Sequence, residues 1–123
     1  MLIDGTEFKA MNATILRARG RGPGARLLEA VLVLAGAEAE LVSHGERPWA
    51  SATFSGARHT IALTFHGTDG VAAAEHFIEA LPDHEFAIPG QLVADAAIRE
   101  VKLDMLHAPR FEVEAELLLL EEG

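Results

Sequence analysis

The sequence predicts an α+β domain, in which a largely antiparallel sheet of about six to seven strands carries two helices on one face. Short segments with alternating polar and apolar residues recur along the chain, as they do in half-buried strands. Two longer segments, residues 25–35 and 69–81, instead have apolar residues at helical spacing. With 123 residues, half of them apolar, the chain has the size of one domain. We therefore expect a single domain over residues 12–123, preceded by a disordered extension over residues 1–11.

Composition limits the function classes. The chain has no cysteine, which excludes disulfides, thiolate nucleophiles and cysteine-based metal sites. Its net charge of −9 repels phosphate backbones and argues against a nucleic-acid partner. No apolar run reaches the ~18 residues that a membrane span needs, so we expect no membrane partner. The absence of cysteine is compatible with the cytoplasmic location that we expect.

The segment before the first predicted helix has two interpretations. Residues 12–19 (NATILRAR) fit a short strand that stops at Gly20, and they also fit a helix. We favour a strand because of a weak repeat, in which LLEA at 27–30 matches FIEA at 77–80 and each follows an alternating segment. The repeat suggests a βαβββ-type internal duplication.

Residues 25–35 predict the first helix, with Pro23 in its first turn and Gly36 as its C-cap. Only Arg26 and Glu29 interrupt its apolar character. Such a helix is buried on most sides, which predicts a subunit interface over it and hence a homo-oligomer. In the alternative interpretation, residues 31–34 form a central strand.

Residues 47–66 predict a hairpin that follows a separate strand at 38–44 and is opened by Pro48. Gly56-Ala57 suits a two-residue type II′ turn. Counting from that turn defines a core face and an outer face. The core face holds Ala50, Ala52, Phe54, His59, Ile61 and Leu63; the outer face holds Arg47, Trp49, Ser51, Thr53, Thr60, Thr64 and His66.

Five outer-face residues form a candidate ligand site: Arg47, Trp49, Ser51, Thr64 and His66. In the predicted register, Arg47 faces His66 and Trp49 faces Thr64. An indole ring offers a stacking surface, a guanidinium binds carboxylate or phosphate, and an imidazole exchanges protons. The alternative is an ordinary solvent-facing sheet surface.

The second half predicts one helix and three strands. Asp69 or Thr68 caps a helix over residues 69–81, which Pro82 ends. A short strand follows at 83–88. Residues 92–106 read as a strand with a bulge near Arg99-Glu100, or as a helix that starts at Gln91. Residues 111–119 alternate cleanly and predict the last strand.

The remaining motifs are weak. The loop GRGPGAR at 20–26 precedes a helix N-terminus, so Arg21 and Arg26 are candidates for binding a small anion, although a basic surface turn has the same composition. The six histidines show no recognised metal-ligand spacing, and no nucleophile-elbow motif is present. We therefore expect no metal and no cofactor, and the catalytic residues, if any, are unknown.

These observations predict a binding or interaction domain that associates with itself. The alternatives are a small-molecule enzyme or ligand-binding protein that uses Arg47, Trp49 and His66, and an anion-binding protein that uses the loop at residues 20–26.

Overall fold

A computed structural model of the protein describes residues 22–106 and 108–122. These residues form an α+β fold. Its elements are α1 (Pro23–Ala35), β1 (Ala39–Ala50), β2 (Ser55–His66), α2 (Gly67–Ala80), a 3-10 helix (Leu81–Asp83), β3 (Gln91–Asp104) and β4 (Arg110–Glu121). The predicted extension at 1–11 and the strand or helix at 12–19 lie outside the described residues.

The four strands form one antiparallel sheet in the order β1-β2-β4-β3, so β1 and β3 are the edges. In the centre, Ile61 of β2 lies opposite Ala115 of β4 and Phe65 lies opposite Phe111. These residues share a face and are buried. We call it the helix face. Among residues 22–106 and 108–122, the helices pack on that face, and we call the opposite one the open face.

Both helices pack on the helix face, as predicted. Leu27, Leu28 and Val31 of α1 and Phe77 of α2 join the strand residues in one apolar core. Helix α1 contacts β1 and α2, helix α2 contacts β2 and β4, and the 3-10 helix contacts β3. The prediction that Gly36 ends the first helix is confirmed: its φ is 90°, a left-handed value that favours glycine.

The predicted count of six to seven strands is wrong for the described residues, which contain four. The segments predicted as separate strands before and after Pro48 form one strand, β1. Proline is tolerated there because β1 is an edge strand, where an N–H group that faces away from the sheet needs no partner. The predicted strand at 83–88 is absent, since a 3-10 helix covers Leu81–Asp83 and residues 84–88 are irregular. The internal duplication is therefore not confirmed.

The prediction for the two C-terminal strands is more accurate. Strand β3 starts at Gln91 as a strand, and its register shifts between Ile98 and Glu100, where a bulge was expected. A second shift lies between Val93 and Asp95. In β4 the predicted apolar set is buried: Phe111, Val113, Ala115, Leu117 and Leu119.

Across the described part of the chain, neither α1 nor α2 has both the length and the apolar character that a membrane-crossing helix requires.

Candidate functional site

The register of the β1–β2 hairpin differs from the predicted one. The loop is formed by residues 51–54, and Ala50 pairs with Ser55. A type II′ turn needs a positive φ at its first central residue, but Gly56 has none. Arg47 consequently pairs with Arg58 instead of His66. The predicted turn at Gly56-Ala57 and the pairing counted from it are therefore wrong.

The corrected register separates the five residues of the candidate ligand site. Arg47, Trp49 and Ser51 lie at the loop end of the hairpin, whereas Thr64 and His66 lie at its other end. Arg58 lies opposite Arg47, and His66 is eight positions further along β2, which corresponds to roughly 26 Å of extended strand. The five residues thus do not surround one ligand. Ligand binding by Arg47 and Trp49 alone stays a prediction.

Ser51 and Thr64 make hydrogen bonds within the fold. The Ser51 Oγ accepts hydrogen bonds from the backbone N–H groups of Thr53 (3.3 Å) and Phe54 (3.1 Å), which closes the four-residue loop. The Thr64 hydroxyl donates to the carbonyl of Phe111 at 3.3 Å and is buried. These contacts give both side chains a structural role.

Trp49 lies on the open face, half-buried, directly opposite Gly56. On the far side of Gly56, the neighbouring positions on β4 and β3 are Leu120 and Leu92. The result is a mainly apolar row across the sheet, in which Leu120 is 6% exposed and Leu92 is 48% exposed. Arg47 is exposed beside this row.

A polar cluster around the buried His59 joins the two strands on the helix face, with a half-buried His44 and an exposed Glu46. His59 is 1% exposed, as predicted for a core residue. Its Nδ1 lies 2.9 Å from Nε2 of His44 and 3.6 Å from a carboxylate oxygen of Glu46. In the histidine pair one ring nitrogen must donate and the other accept, so this geometry does not accommodate protons on both nitrogens.

A cavity of about 320 Å³ separates this cluster from the N-terminus of α1. Its lining includes Gly24, Ala25, His59, Glu46 and Glu121. The first helical N–H groups favour an anion, but the two carboxylates oppose one. For the predicted anion site, Arg21 lies outside the described residues and Arg26 lies half-buried on α1. Anion binding stays a prediction.

The described residues give no geometric support for metal binding. Glu75, His76 and Glu79 lie on the exposed side of α2. Within residues 22–106 and 108–122, no three histidine, aspartate or glutamate side chains form a group that could hold a metal ion.

The most unusual surface feature is a set of large apolar side chains in solvent. They are Val33 (77% exposed), Val42 (49%), Phe54 (47%), Leu92 (48%), Val101 (41%), Leu103 (52%), Met105 (61%) and Leu106 (87%). Single exposed apolar residues are common, but adjacent ones mark contact surfaces.

Two groups of these residues stand out. The loop patch consists of Leu103, Met105 and Leu106, at the end of β3 and in the loop that follows. The helix hollow is a shallow depression of about 370 Å³ on α1 and the turn after it, lined by Glu29, Leu32, Val33, Gly36 and Ala37.

An interface over the first helix was predicted from the sequence and stays a prediction, whereas the loop patch was not predicted. Leu103 was expected on an alternating strand and was not singled out. Its exposure arises because the helix layer does not cover this end of β3, although Leu103 lies opposite the largely buried Phe111. A sequence signal was present: Met105 and Leu106 are adjacent apolar residues directly before a proline-containing turn.

Together, the described residues form an α+β domain in which a four-stranded sheet carries its helices on one face. Several large apolar side chains of this domain are exposed. No protein-family model matches the chain, and no curated protein matches it. A chain in the solved structure "Virion of native gene transfer agent (GTA) particle" has a similar fold, with a TM-score of 0.56 and 13% sequence identity. The similarity covers 82% of this chain and 94% of that chain. At this identity it shows a shared fold alone.

Proposed function

We propose that this protein is a structural subunit that associates with copies of itself within a multi-subunit, virion-like particle. The observation that carries the proposal is the exposure of Val33 and Leu106 at 77% and 87%, on two separate apolar surfaces. The similar chain in a gene transfer agent particle supports the same role, since it is part of a multi-subunit assembly.

The exposed side chains provide a driving force of the right size for reversible assembly. Complete burial of one large apolar side chain contributes about 1.5–3 kcal/mol. Burying what is now exposed of Val33, Leu103, Met105 and Leu106 would contribute roughly 4–8 kcal/mol. The loss of free motion on association costs a comparable amount. A single contact between two copies is therefore weak, and stable assembly requires many contacts.

Charge opposes assembly. The net charge of −9 makes every copy repel the others, and dissolved salt screens this repulsion. We therefore expect self-association to strengthen as the salt concentration rises. An assembly held together by ion pairs would respond in the opposite direction.

Sedimentation velocity tests the proposal directly. The full chain is measured from about 1 to several hundred µM, in low and high salt; we expect species larger than a monomer that increase with concentration and with salt. A monomer at every concentration and in both buffers would overturn the proposal. Electron microscopy of the concentrated protein would show whether the larger species have a regular shape.

A further inference from the structure

We propose that His44, His59 and Glu46 form a pH-sensitive switch between β1 and β2. When the two imidazoles gain a second positive charge, the hydrogen bond between the rings is exchanged for an ion pair between His59 and Glu46, and the His44 ring turns towards solvent. This inference is independent of the proposed self-association. It rests on the position, the burial and the hydrogen-bonding capacity of the three side chains.

The strand register gives His59 two competing partners on β1. Glu46 lies directly opposite His59, whereas His44 is at a diagonal position. The diagonal partner is the closer one: Nε2 of His44 is 2.9 Å from Nδ1 of His59, while a carboxylate oxygen of Glu46 is 3.6 Å from the same nitrogen. Only the shorter distance is that of a hydrogen bond, so Nδ1 is hydrogen-bonded to the imidazole and not to the carboxylate.

The hydrogen bond between the rings limits the charge that the pair can carry. One of the two facing nitrogens donates its proton, and the other must offer a lone pair. The pair can therefore hold one positive charge but not two, because a second imidazolium would place protons on both facing nitrogens. Imidazoles that do not face each other each gain a proton near pH ~6.5. A second charge therefore requires the two rings to separate.

The two rings differ in how easily they can move. His59 is 1% exposed and lies on the central strand β2, opposite Leu117 of β4. His44 is half-buried on the edge strand β1, directly after the register shift between Leu41 and Ser43. Rotation about its side-chain bonds carries the His44 ring into water without disturbing the apolar core. We therefore expect His44 to leave the contact and His59 to remain in place.

Glu46 is placed to complete the exchange. Its side chain is 49% exposed, and its carboxylate has to approach His59 by only about 0.8 Å to reach the distance of a charge-assisted hydrogen bond. On another side, His59 borders the cavity of about 320 Å³, whose lining also includes Glu121 of β4. Both carboxylates stabilise a protonated His59 once the His44 ring has turned away.

The remaining charges of the neighbouring elements do not compensate a second charge on the closed pair. The first turn of α1 contributes Arg26 and no acidic side chain, and a positive charge there opposes a further one. Arg47 and Arg58 are adjacent in sequence to Glu46 and His59, so they lie on the open face. The titratable side chains of α2 are all exposed: Asp69, Glu75, His76 and Glu79.

The direction of the pH dependence follows from the number of protons bound. The closed pair binds one proton fewer than the separated rings do in acid, so lowering the pH below ~6.5 favours separation. Each further pH unit shifts the equilibrium by up to about tenfold towards the separated form. At neutral pH and above, the hydrogen-bonded form predominates.

NMR of the imidazole nitrogens between pH 8 and pH 5 tests the switch. In the unmodified chain we expect one donor and one acceptor nitrogen in contact at neutral pH, followed in acid by a single transition in which both rings become charged. His44→Gln retains a hydrogen-bonding group but gains no proton, so it should abolish this joint transition. Glu46→Gln removes the second partner, so the transition should require about threefold more protons. His76→Gln, on the exposed side of α2, is the matched control and should leave the transition unchanged.

Urea unfolding over the same pH range gives a second measurement. Between pH 7.5 and pH 5.5 the folding equilibrium constant of the unmodified chain should decrease at least threefold relative to that of His44→Gln, because only the unmodified chain has to separate two charged rings. The matched control should follow the unmodified chain. An equal pH dependence of the unmodified chain and His44→Gln would overturn the switch.

The spectra decide the remaining outcomes. A joint transition that His44→Gln abolishes and Glu46→Gln moves to lower pH supports the switch. Two rings that titrate independently in the unmodified chain would overturn it. A joint transition that Glu46→Gln does not move would also overturn it, because His59 would then have no second partner. If His44→Gln does not fold, the spectra of the unmodified chain and of Glu46→Gln distinguish these outcomes without it.

Discussion

Gly56 lies where β2 and β4 approach each other most tightly. A Cβ built on this residue would lie 2.0 Å from the carbonyl oxygen of Leu119 and 2.9 Å from Cα of Leu120. Both atoms belong to the backbone of the neighbouring strand, so no side-chain rotation relieves the overlap. Gly56→Ala therefore requires β2 and β4 to separate locally by about 1 Å, since Cβ contacts shorter than 3.0 Å are essentially never observed.

The structure also determines how large a loss of unfolding free energy to expect from Gly56→Ala. A separation of that size breaks the adjacent backbone hydrogen bonds, each worth about 0.5–1.5 kcal/mol. It also disturbs a packed core, where extra volume typically costs about 1–3 kcal/mol. We expect Gly56→Ala to lower the free energy of unfolding by about 2–4 kcal/mol. For a chain of this length, that change corresponds to roughly 8–16 °C in the melting temperature.

Urea and thermal unfolding followed by circular dichroism measure the change. Gly45→Ala is the matched control, because Gly45 also lies within a strand and a Cβ there would meet nothing within 4 Å. We expect the control to stay within about 0.5 kcal/mol of the unmodified protein. Equal stability of the two variants would refute the close approach, and with it the register of β2 against β4.

Three further experiments test other contacts. His59→Ala removes a fully buried ring and should lower the free energy of unfolding by about 2–4 kcal/mol; a loss below 1 kcal/mol in urea unfolding would contradict its burial. Arg58 and Glu116 form a 2.9 Å ion pair that is largely shielded from water, and a double-mutant cycle should give a coupling of about 0.5–1.5 kcal/mol that decreases with salt. Ser51→Ala removes the hydrogen bonds that close the hairpin loop and should cost about 0.5–1.5 kcal/mol, whereas Thr53→Ala, on an exposed residue, should change little; equal effects would argue against this loop geometry.

Features that depend on local interactions were predicted more accurately than features that depend on contacts between distant parts of the chain. Both helices were predicted because their apolar spacing and end signals are local: Pro23 begins α1, Gly36 follows it, and Pro82 lies just after α2. Strand β4 was predicted for the same reason, since its alternation persists over many residues. These elements fix the fold class, an α+β domain with helices on one side of an antiparallel sheet.

The hairpin prediction was wrong because a glycine that a turn requires and a glycine that a close approach of two strands requires look alike in the sequence. Gly56 was assigned to a turn that needs its backbone freedom, but it is required where β4 approaches too closely for a side chain. The actual loop is closed by the hydroxyl of Ser51, which is a weaker sequence signal than glycine. The resulting error in register moved His66 next to Arg47 and created a candidate site whose residues lie at opposite ends of the strands.

The exposed apolar surfaces could not be predicted because exposure depends on which elements cover which strands. Leu103 and Ile61 both occupy the helix face, yet Ile61 is fully buried and Leu103 is half exposed. Their positions in alternating segments are equivalent, and only the placement of the helices distinguishes them. The nearly all-apolar sequence of α1 led to the prediction of an interface, because too few polar residues were present to cover its outer side; that interface stays a prediction.

The edge strands indicate why association would use these side-chain surfaces instead of extending the sheet. A long, regular edge recruits a strand from another molecule. Here β1 is interrupted by a register shift between Leu41 and Ser43 and contains Pro48, which has no N–H to donate. Strand β3 is interrupted twice, and Lys102 is among its exposed charged residues. Both edges are therefore poor templates for strand addition, so we expect the proposed self-association to use exposed side chains instead.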